Sequence, residues 1–399
     1  MTDIVQNVQL TPQGLETSAA NAFDVAMFTA NYFAAFSTDA GATFTEISPS
    51  GMMTLAGDTF CCDQRVEYIP SIDTFVWVLQ ALEGPIMLAV ASREEIRRSS
   101  GRAWTYYHLT NATFRLQNDQ FDYPQVSFGR SFLYLTFDLI VEGGAIVARF
   151  PLSELERRAT LNGRFLKTPE SFVCPCHNTL EEGWLGALQS DSQIRVLRWS
   201  ETSTSVNSFV VDVSTVPSTD YSTMTPDNTD WLPPTSKIQA NITGAARNRN
   251  HLWLAWSAGK KYADGTTSRI PQSHVELAII DMASQSLAGQ RYIWNRDFAF
   301  AWPSLAGNWG WDVSEAHVAI ALSWGGPNDY PQHAVGILGD PPLLSTTSGP
   351  TAGSGGHYND VRMCYPDAEQ FVAAGAVAPK DTSTPPVVTN RANYVTFRR

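Results

Sequence analysis

The sequence predicts an all-β chain folded as a seven-bladed β-propeller of antiparallel blades with three or four strands each. Strand-like segments rich in aromatic and small apolar residues recur as NYFAAF (31–36), FVWVLQ (75–80), FLYLTF (132–137), WLGAL (184–188), LWLAW (252–256), VAIAL (318–322) and FVAAGAV (371–377). Their average spacing is about 57 residues, and seven such units fill the 399-residue chain with nothing left over. Long helical periodicity is absent. The one helical candidate is LSELERRA (152–159), on a connection.

Each unit repeats one order of elements. A polar residue and a short first strand precede the aromatic strand, as in CDQRVEYI (62–69), DYPQVSF (122–128), NITGAAR (241–247), WPSLAG (302–307) and HYNDVRM (357–363). Turns such as 70–73, Gly129-Arg130 and 248–250 separate the two. A third apolar strand follows, and some units add a looser fourth, as at 103–109, 209–213 and 291–295. The first interval between aromatic strands is the shortest, so blade one is expected to be the shortest unless the C-terminal strand completes it. The terminal segments IVQNVQL (4–10) and ANYVTFRR (392–399) are both strand-like, and pairing them in one blade would close the ring. The Ser/Thr/Gly/Pro-rich stretches 341–356 and 378–390 read as loops because the repeat continues past them. The expectation is one domain over 1–399.

Composition narrows the function classes. Hydrophobic residues make up 43% and charged residues 17%, which is globular and excludes disorder, coiled coil and collagen. The longest apolar run, 132–141, is interrupted by Thr136 and Asp138, so no membrane span is expected. A net charge of −12 argues against a nucleic-acid partner. Of the 27 basic residues 22 are arginine, whose planar fork suits a bidentate grip on carboxylates. The start of the chain has neither a basic nor an apolar leader region. A cytoplasmic monomer is expected, the alternative being a secreted protein whose signal has been removed. Five cysteines, with Cys61 and Cys62 adjacent, Cys174 and Cys176 in a C-P-C and Cys364 alone, make no disulfide framework. Reduced thiols are the expectation, and no second Cys or His pair completes a zinc site with the C-P-C.

Ser37-Thr-Asp39-Ala-Gly41-Ala-Thr43-Phe44 resembles the Asp-box of sialidase-type propellers, S-x-D-x-G-x-T-W, with Phe in place of Trp. Asp39 can bond the turn backbone, Gly41 can take the left-handed position and the aromatic can pack between blades. The box is a rim device and carries no chemistry. The segments 57–80 and 357–377 also resemble parts of Asp-box-like propellers. What the resemblance implies is a seven-bladed ring among whose relatives are polysaccharide lyases acting beside a uronate, and glycosidases.

In such a ring the first strand of each blade runs nearest the axis, so its leading polar residues face one another across a shared cavity. These are Asp63 and Arg65, Asp122 and Tyr123, His177 and Asn178, Asn241 and Arg247, Trp302, and the cluster His357, Tyr358, Asp360 and Arg362. Alternation puts Tyr358, Asp360 and Arg362 on one face of their strand, a set able to orient an acidic substrate and move a proton. The competing reading is an Asp360–Arg362 pair bracing a blade. His333, after the Trp324-Gly-Gly turn, is a loop histidine that could act as acid or base, or serve only structurally. Trp302 and Trp324 are candidates for stacking on a sugar ring.

These features predict a carbohydrate-active enzyme, first a lyase cleaving beside a uronic acid. Arg65 or Arg362 would neutralise the substrate carboxylate, and Tyr123, Tyr358, His177 or His357 would move protons. Asp63, Asp122, Asp360, Trp302, Trp324 and His333 would contact the sugar. A sialidase-like hydrolase, drawing on Asp63, Glu67 and Asp122, is the alternative within catalysis. A non-catalytic glycan-binding propeller is the alternative outside it. No organic cofactor is implied, no metal ligands can be assigned, and a divalent cation such as calcium in the axial channel is compatible with the pattern.

Overall fold

The computed structural model describes residues 1–10, 15–82, 84–177, 179–233, 238–311, 313–347, 358–377 and 391–399. They form seven four-stranded antiparallel sheets. The first strands of blades one to seven are Ser18–Ala22, Phe60–Ile69, Phe121–Phe128, Cys174–Pro175, Ile242–Asn248, Ala299–Gly307 and Asp360–Met363. Each of these packs against its counterparts in adjacent blades, which sets them around a common axis. In blade seven, Gln370–Val377 and Arg391–Arg398 continue the sheet, and Asp3–Leu10 completes it with Val8 opposite Tyr394. The terminal strands therefore pair in one blade and close the ring as expected.

Burial falls from axis to rim. Second strands such as Thr74–Ala81 are buried at every residue, because neighbouring blades cover both faces of the sheet. The outer strand Ser286–Ile293 mixes exposed and half-buried positions. This explains why the aromatic runs are continuous rather than alternating. It also explains one phase error. The segment 31–36 marks the third strand of blade one, Phe33–Ser37, whereas its second strand is Val25–Ala30. Both are fully buried, so composition could not order them. The shortened first interval is the consequence.

Among the described residues three short α-helices lie on connections, at Pro49–Ala56, Arg93–Ser99 and Leu152–Glu156, only the last of them expected. The second has a legible start: Ser92 accepts from Glu95 N–H while the Glu95 carboxylate accepts from Ser92 N–H, a reciprocal cap. Among the described residues no helix is long and apolar enough to cross a membrane.

At the rim turn of blade one, the Ser37 hydroxyl donates to Asp39 at 2.7 Å and accepts from Gly41 N–H at 2.8 Å. Asp39 accepts from the Thr43 N–H and hydroxyl at 2.8 and 2.6 Å, and these hydroxyl bonds hold its carboxyl down at about 2. Gly41 has φ +88°, and a Cβ there would meet the Tyr394 ring at 2.7 Å. Phe44 packs on Phe28 and Tyr394.

The cysteines correct one expectation. Cys61 and Cys62 are joined in a disulfide, whereas Cys174, Cys176 and Cys364 are buried and free. The expectation of reduced thiols rested on an expected compartment, which does not bear on whether two sulfurs meet. Residues adjacent in sequence need no loop closure to do so.

Candidate functional site at the propeller axis

Five non-glycine residues hold left-handed backbone near the start of a first strand: Glu16 (φ 53°), Tyr123 (52°), Phe172 (53°), Trp302 (51°) and Tyr358 (51°). Tyr123 and Trp302 lie inside register shifts, between Asp122 and Gln125 and between Ala301 and Ser304. Such bulges re-aim a side chain, and each left-handed non-glycine residue costs about 1–3 kcal/mol that the surrounding fold must offset. Here they turn aromatic rings toward one another. Ring centroids step from Phe172 to Tyr123 (4.7 Å), Tyr358 (4.9 Å), Trp302 (6.5 Å) and Trp231 (5.9 Å). Trp231, with Tyr221, Leu232 and Ile238, belongs to the connection between blades four and five and packs into this cluster. Tyr123, Tyr358 and Trp302 are thereby buried.

Carboxylates gather at the same mouth. Asp122 and Asp138 stand opposite each other on the first and second strands of blade three. Asp138 accepts from Phe172 N–H at 2.8 Å, and Gln80 Nε2 donates to Asp122 at 3.4 Å. Burial pushes the Asp138 carboxyl up to about 7; the Phe172 bond opposes that rise, and the charge of Asp122 adds to it. Arg65 is buried, donates to the backbone oxygens of Glu16 and Gln64 at 3.3 Å, and lies 5.8 Å from the Tyr123 ring. Burial acts against its charge, but Tyr123, Asp360, Asp63 and Glu16 more than offset this and raise it. Burial, then the charges of Glu16 and Asp63, raise the Tyr358 phenol; burial and Tyr358 do the same for Tyr123. Both phenols therefore stay protonated near neutrality. Glu16 Oε2 and Gln80 Oε1 are buried without a hydrogen-bond partner among the described residues.

Further along the axis the arrangement changes character. Arg362, buried, donates to Asp360, and its Nε lies 2.9 Å from Glu67 Oε2, an ion-pair distance without hydrogen-bond alignment. Asp360 also accepts from the Ser18 hydroxyl, which in turn accepts from Val66 N–H at 3.0 Å. His177 Nδ1 is 3.5 Å from the same Glu67 oxygen. Burial and then Arg362 lower the His177 pKa, so its imidazole is neutral near pH 7. Glu67, His177 and Arg362 line a cavity of ≈20 Å³ with Phe128 and Tyr365.

The expected site is thus divided into two layers. Asp63, Arg65, Asp122, Tyr123, Trp302 and Tyr358 belong to the mouth. Asp360 and Arg362 pair with each other two and four residues along the strand from Tyr358, about 7 and 13 Å away, and His177 sits beside Glu67 at the deeper end with Arg362. His333 is not on a loop. It is buried in the third strand of blade six, Asp329–Ile337, bonded through Nδ1 to Asn393 at 3.0 Å, and burial lowers it to about 4. The strand resumes directly after the Gly326 turn, which placed a core residue where a loop was expected. Trp324 packs edge-on to Phe298 at 5.0 Å in a separate cluster from the mouth. His357 lies outside the described residues. Among the described residues no three His, Cys, Asp or Glu side chains converge as a metal-binding group. Asp138 was visible in the sequence only as a charge interrupting an apolar strand; that interruption was the signal for it.

No family model matches the chain, and no curated protein matches it. Among solved structures, it is similar to an α-L-arabinofuranosidase of Fusarium graminearum solved with arabinobiose. That match has 10% identity and a TM-score of 0.46, over 98% of this chain and 97% of that one. AofleA of Arthrobotrys oligospora matches at 10% identity and a TM-score of 0.47, over 86% and 90% of the two chains. A luciferin-regenerating enzyme matches at 8% identity and a TM-score of 0.43, over 98% and 94%. These likenesses are of fold, and the proteins that share it are functionally diverse.

Proposed function

We propose that the protein is a carbohydrate-active hydrolase whose reaction centre is the axial mouth. Asp138 would be the proton donor, and Asp122 the carboxylate that stabilises or attacks the anomeric carbon. The observation that carries this reading is the opposition of Asp122 and Asp138 beside a run of aromatic rings. Glycoside hydrolysis needs two carboxyl groups of different character, and a carboxyl lifted to about 7 still holds its proton near neutrality. Directly opposed strand residues hold their Cβ atoms about 4.5–5.5 Å apart. Tyr123, Tyr358 and Trp302 offer faces for a sugar ring, and the unpartnered Glu16 and Gln80 oxygens are acceptors for its hydroxyls. The packed connection carrying Trp231 must yield for substrate to enter.

A lyase acting beside a uronate is less well supported. It needs a free cation for the substrate carboxylate, but Arg362 is engaged by Asp360 and Glu67, and Arg65 lies among acidic groups. It also needs a base, and both phenols are raised. A sialidase-type carboxylate grip meets the same shortage of unengaged arginine. The non-catalytic glycan-binding reading draws on the closed mouth and on larger cavities at the rim. A panel of neutral and acidic oligosaccharides, read by both reducing ends and near-ultraviolet absorbance, separates the three. Hydrolysis yields reducing ends without absorbance, and Asp138→Asn should abolish it. Absorbance would establish a lyase, and binding with neither signal a lectin.

A further inference from the structure

The rim carries a second feature unrelated to the axial chemistry. A cavity of ≈970 Å³ opens between the outer strand of blade three, Arg164–Thr168, and the outer half of blade four. Its ionisable lining consists of Arg115, Arg164, Lys167 and Arg195, with no carboxylate, in a protein whose net charge is −12. Lys167 and Arg195 are paired with Glu142 and Glu170 at 2.6 and 2.5 Å, both of which lie outside the lining. Arg115 and Arg164 are exposed and have no ion-pair partner among the described residues.

The groove is held in shape from below. The Arg149 guanidinium is sandwiched between the Phe132 and Trp199 rings, 4.3 Å from each centroid. It donates to the Ser200 and Ser203 carbonyls at 2.9 and 2.5 Å, which pins the turn leading to the groove wall. Asn162, Gly163, Arg164 and Phe165 are shared with a second cavity of ≈660 Å³ toward blade two, so the two grooves flank one ridge. Gly163 permits this closeness, since a Cβ there would meet the Phe150 ring at 2.4 Å.

We infer that this trough is a binding site for an acidic oligosaccharide, distinct from the axial mouth. Two exposed arginines, Arg115 and Arg164, without an ion-pair partner among the described residues select an anion. The hydroxyls of Thr204 and Ser208 in the lining suit a ligand that also presents hydroxyls. Two grooves flanking one ridge suit a chain longer than one sugar unit. The site would hold an acidic polymer at the rim, and it does not depend on any reaction at the axis.

The test uses the full-length protein and a galacturonate tetramer, with its methyl ester as the uncharged control, in calorimetric titrations at low and moderate salt. The expected result is binding of the acid form alone, weakening with salt, and at least tenfold weaker in Arg115→Glu/Arg164→Glu. Both substituted side chains are exposed, so folding should persist, and turnover of any axial substrate should be unchanged. Equal binding of the ester, or acid binding unaffected by the double variant, would overturn the proposal. Tighter binding of a glutamate decamer than of the tetramer would reassign the groove to an acidic peptide and equally overturn it. No binding of the tetramer at millimolar concentration would do the same.

Discussion

Replacing Arg362 by methionine removes the cation held between Asp360 and Glu67 and leaves two buried carboxylates facing each other across the axis. Breaking a buried pair by removing one partner costs about 3–5 kcal/mol. Unfolding entropy of about 2.1 cal/mol/K per residue gives a chain of this length about 0.8 kcal/mol/K, so the melting midpoint should fall by about 4–6 °C. Adding Asp360→Asn and Glu67→Gln removes the stranded charges and should restore much of the loss. The assay is thermal denaturation of the wild type, the single variant and the triple variant, with glycan turnover measured on each. Whatever activity the single variant retains in its folded fraction should resemble that of the wild type, because Arg362 braces the blades. An unchanged midpoint with turnover abolished would refute this and make Arg362 a ligand contact.

Three further outcomes follow from the same geometry. Asp138 binds its proton more tightly when folded, so stability is greatest at low pH and falls as pH rises from about 4 through about 7, by roughly 4 kcal/mol. Asp138→Asn should flatten that fall, and melting midpoints at about pH 5 and pH 8 check it. His333 is lowered to about 4, so its contribution is present above its ordinary value of 6.5 and is lost as pH falls through about 4. His333→Gln should lessen acid sensitivity in that window, seen in urea midpoints between about pH 4 and 7. Thiol titration of unfolded, unreduced protein should find three free sulfhydryls, and five after reduction.

The ring and its closure were legible because both arise from local pattern. Buried second strands make continuous apolar runs, and the terminal strands carry the residues a blade lacks. Blade one was misphased because Val25–Ala30 and Phe33–Ser37 are equally buried and differ little in composition. At the site, Tyr123, Trp302 and Tyr358 could be named because they lead first strands. Their meeting depends on left-handed turns that no residue type announces, since glycine is absent from all of these positions. Asp138 escaped notice because its partner Asp122 is set by strand register rather than by spacing along the chain. His333 was misplaced because a histidine a few residues past a turn looks alike whether it lies on the loop or inside the next strand. The division between a mouth and a bracing layer depends on depth along the axis, which strand alternation does not encode.

The pH dependence of turnover, measured on the wild type and Asp138→Asn with a hydrolysed neutral oligosaccharide, tests the central claim most directly. If Asp138 donates the proton, the wild-type rate should hold below neutrality and fall tenfold per pH unit on an alkaline limb beginning near about pH 7. The variant should lose at least a hundredfold in kcat and with it that limb. A wild-type profile flat from about pH 6 to 8, or a variant retaining near-full activity with the limb intact, would contradict the assignment of the reaction to the Asp122–Asp138 mouth.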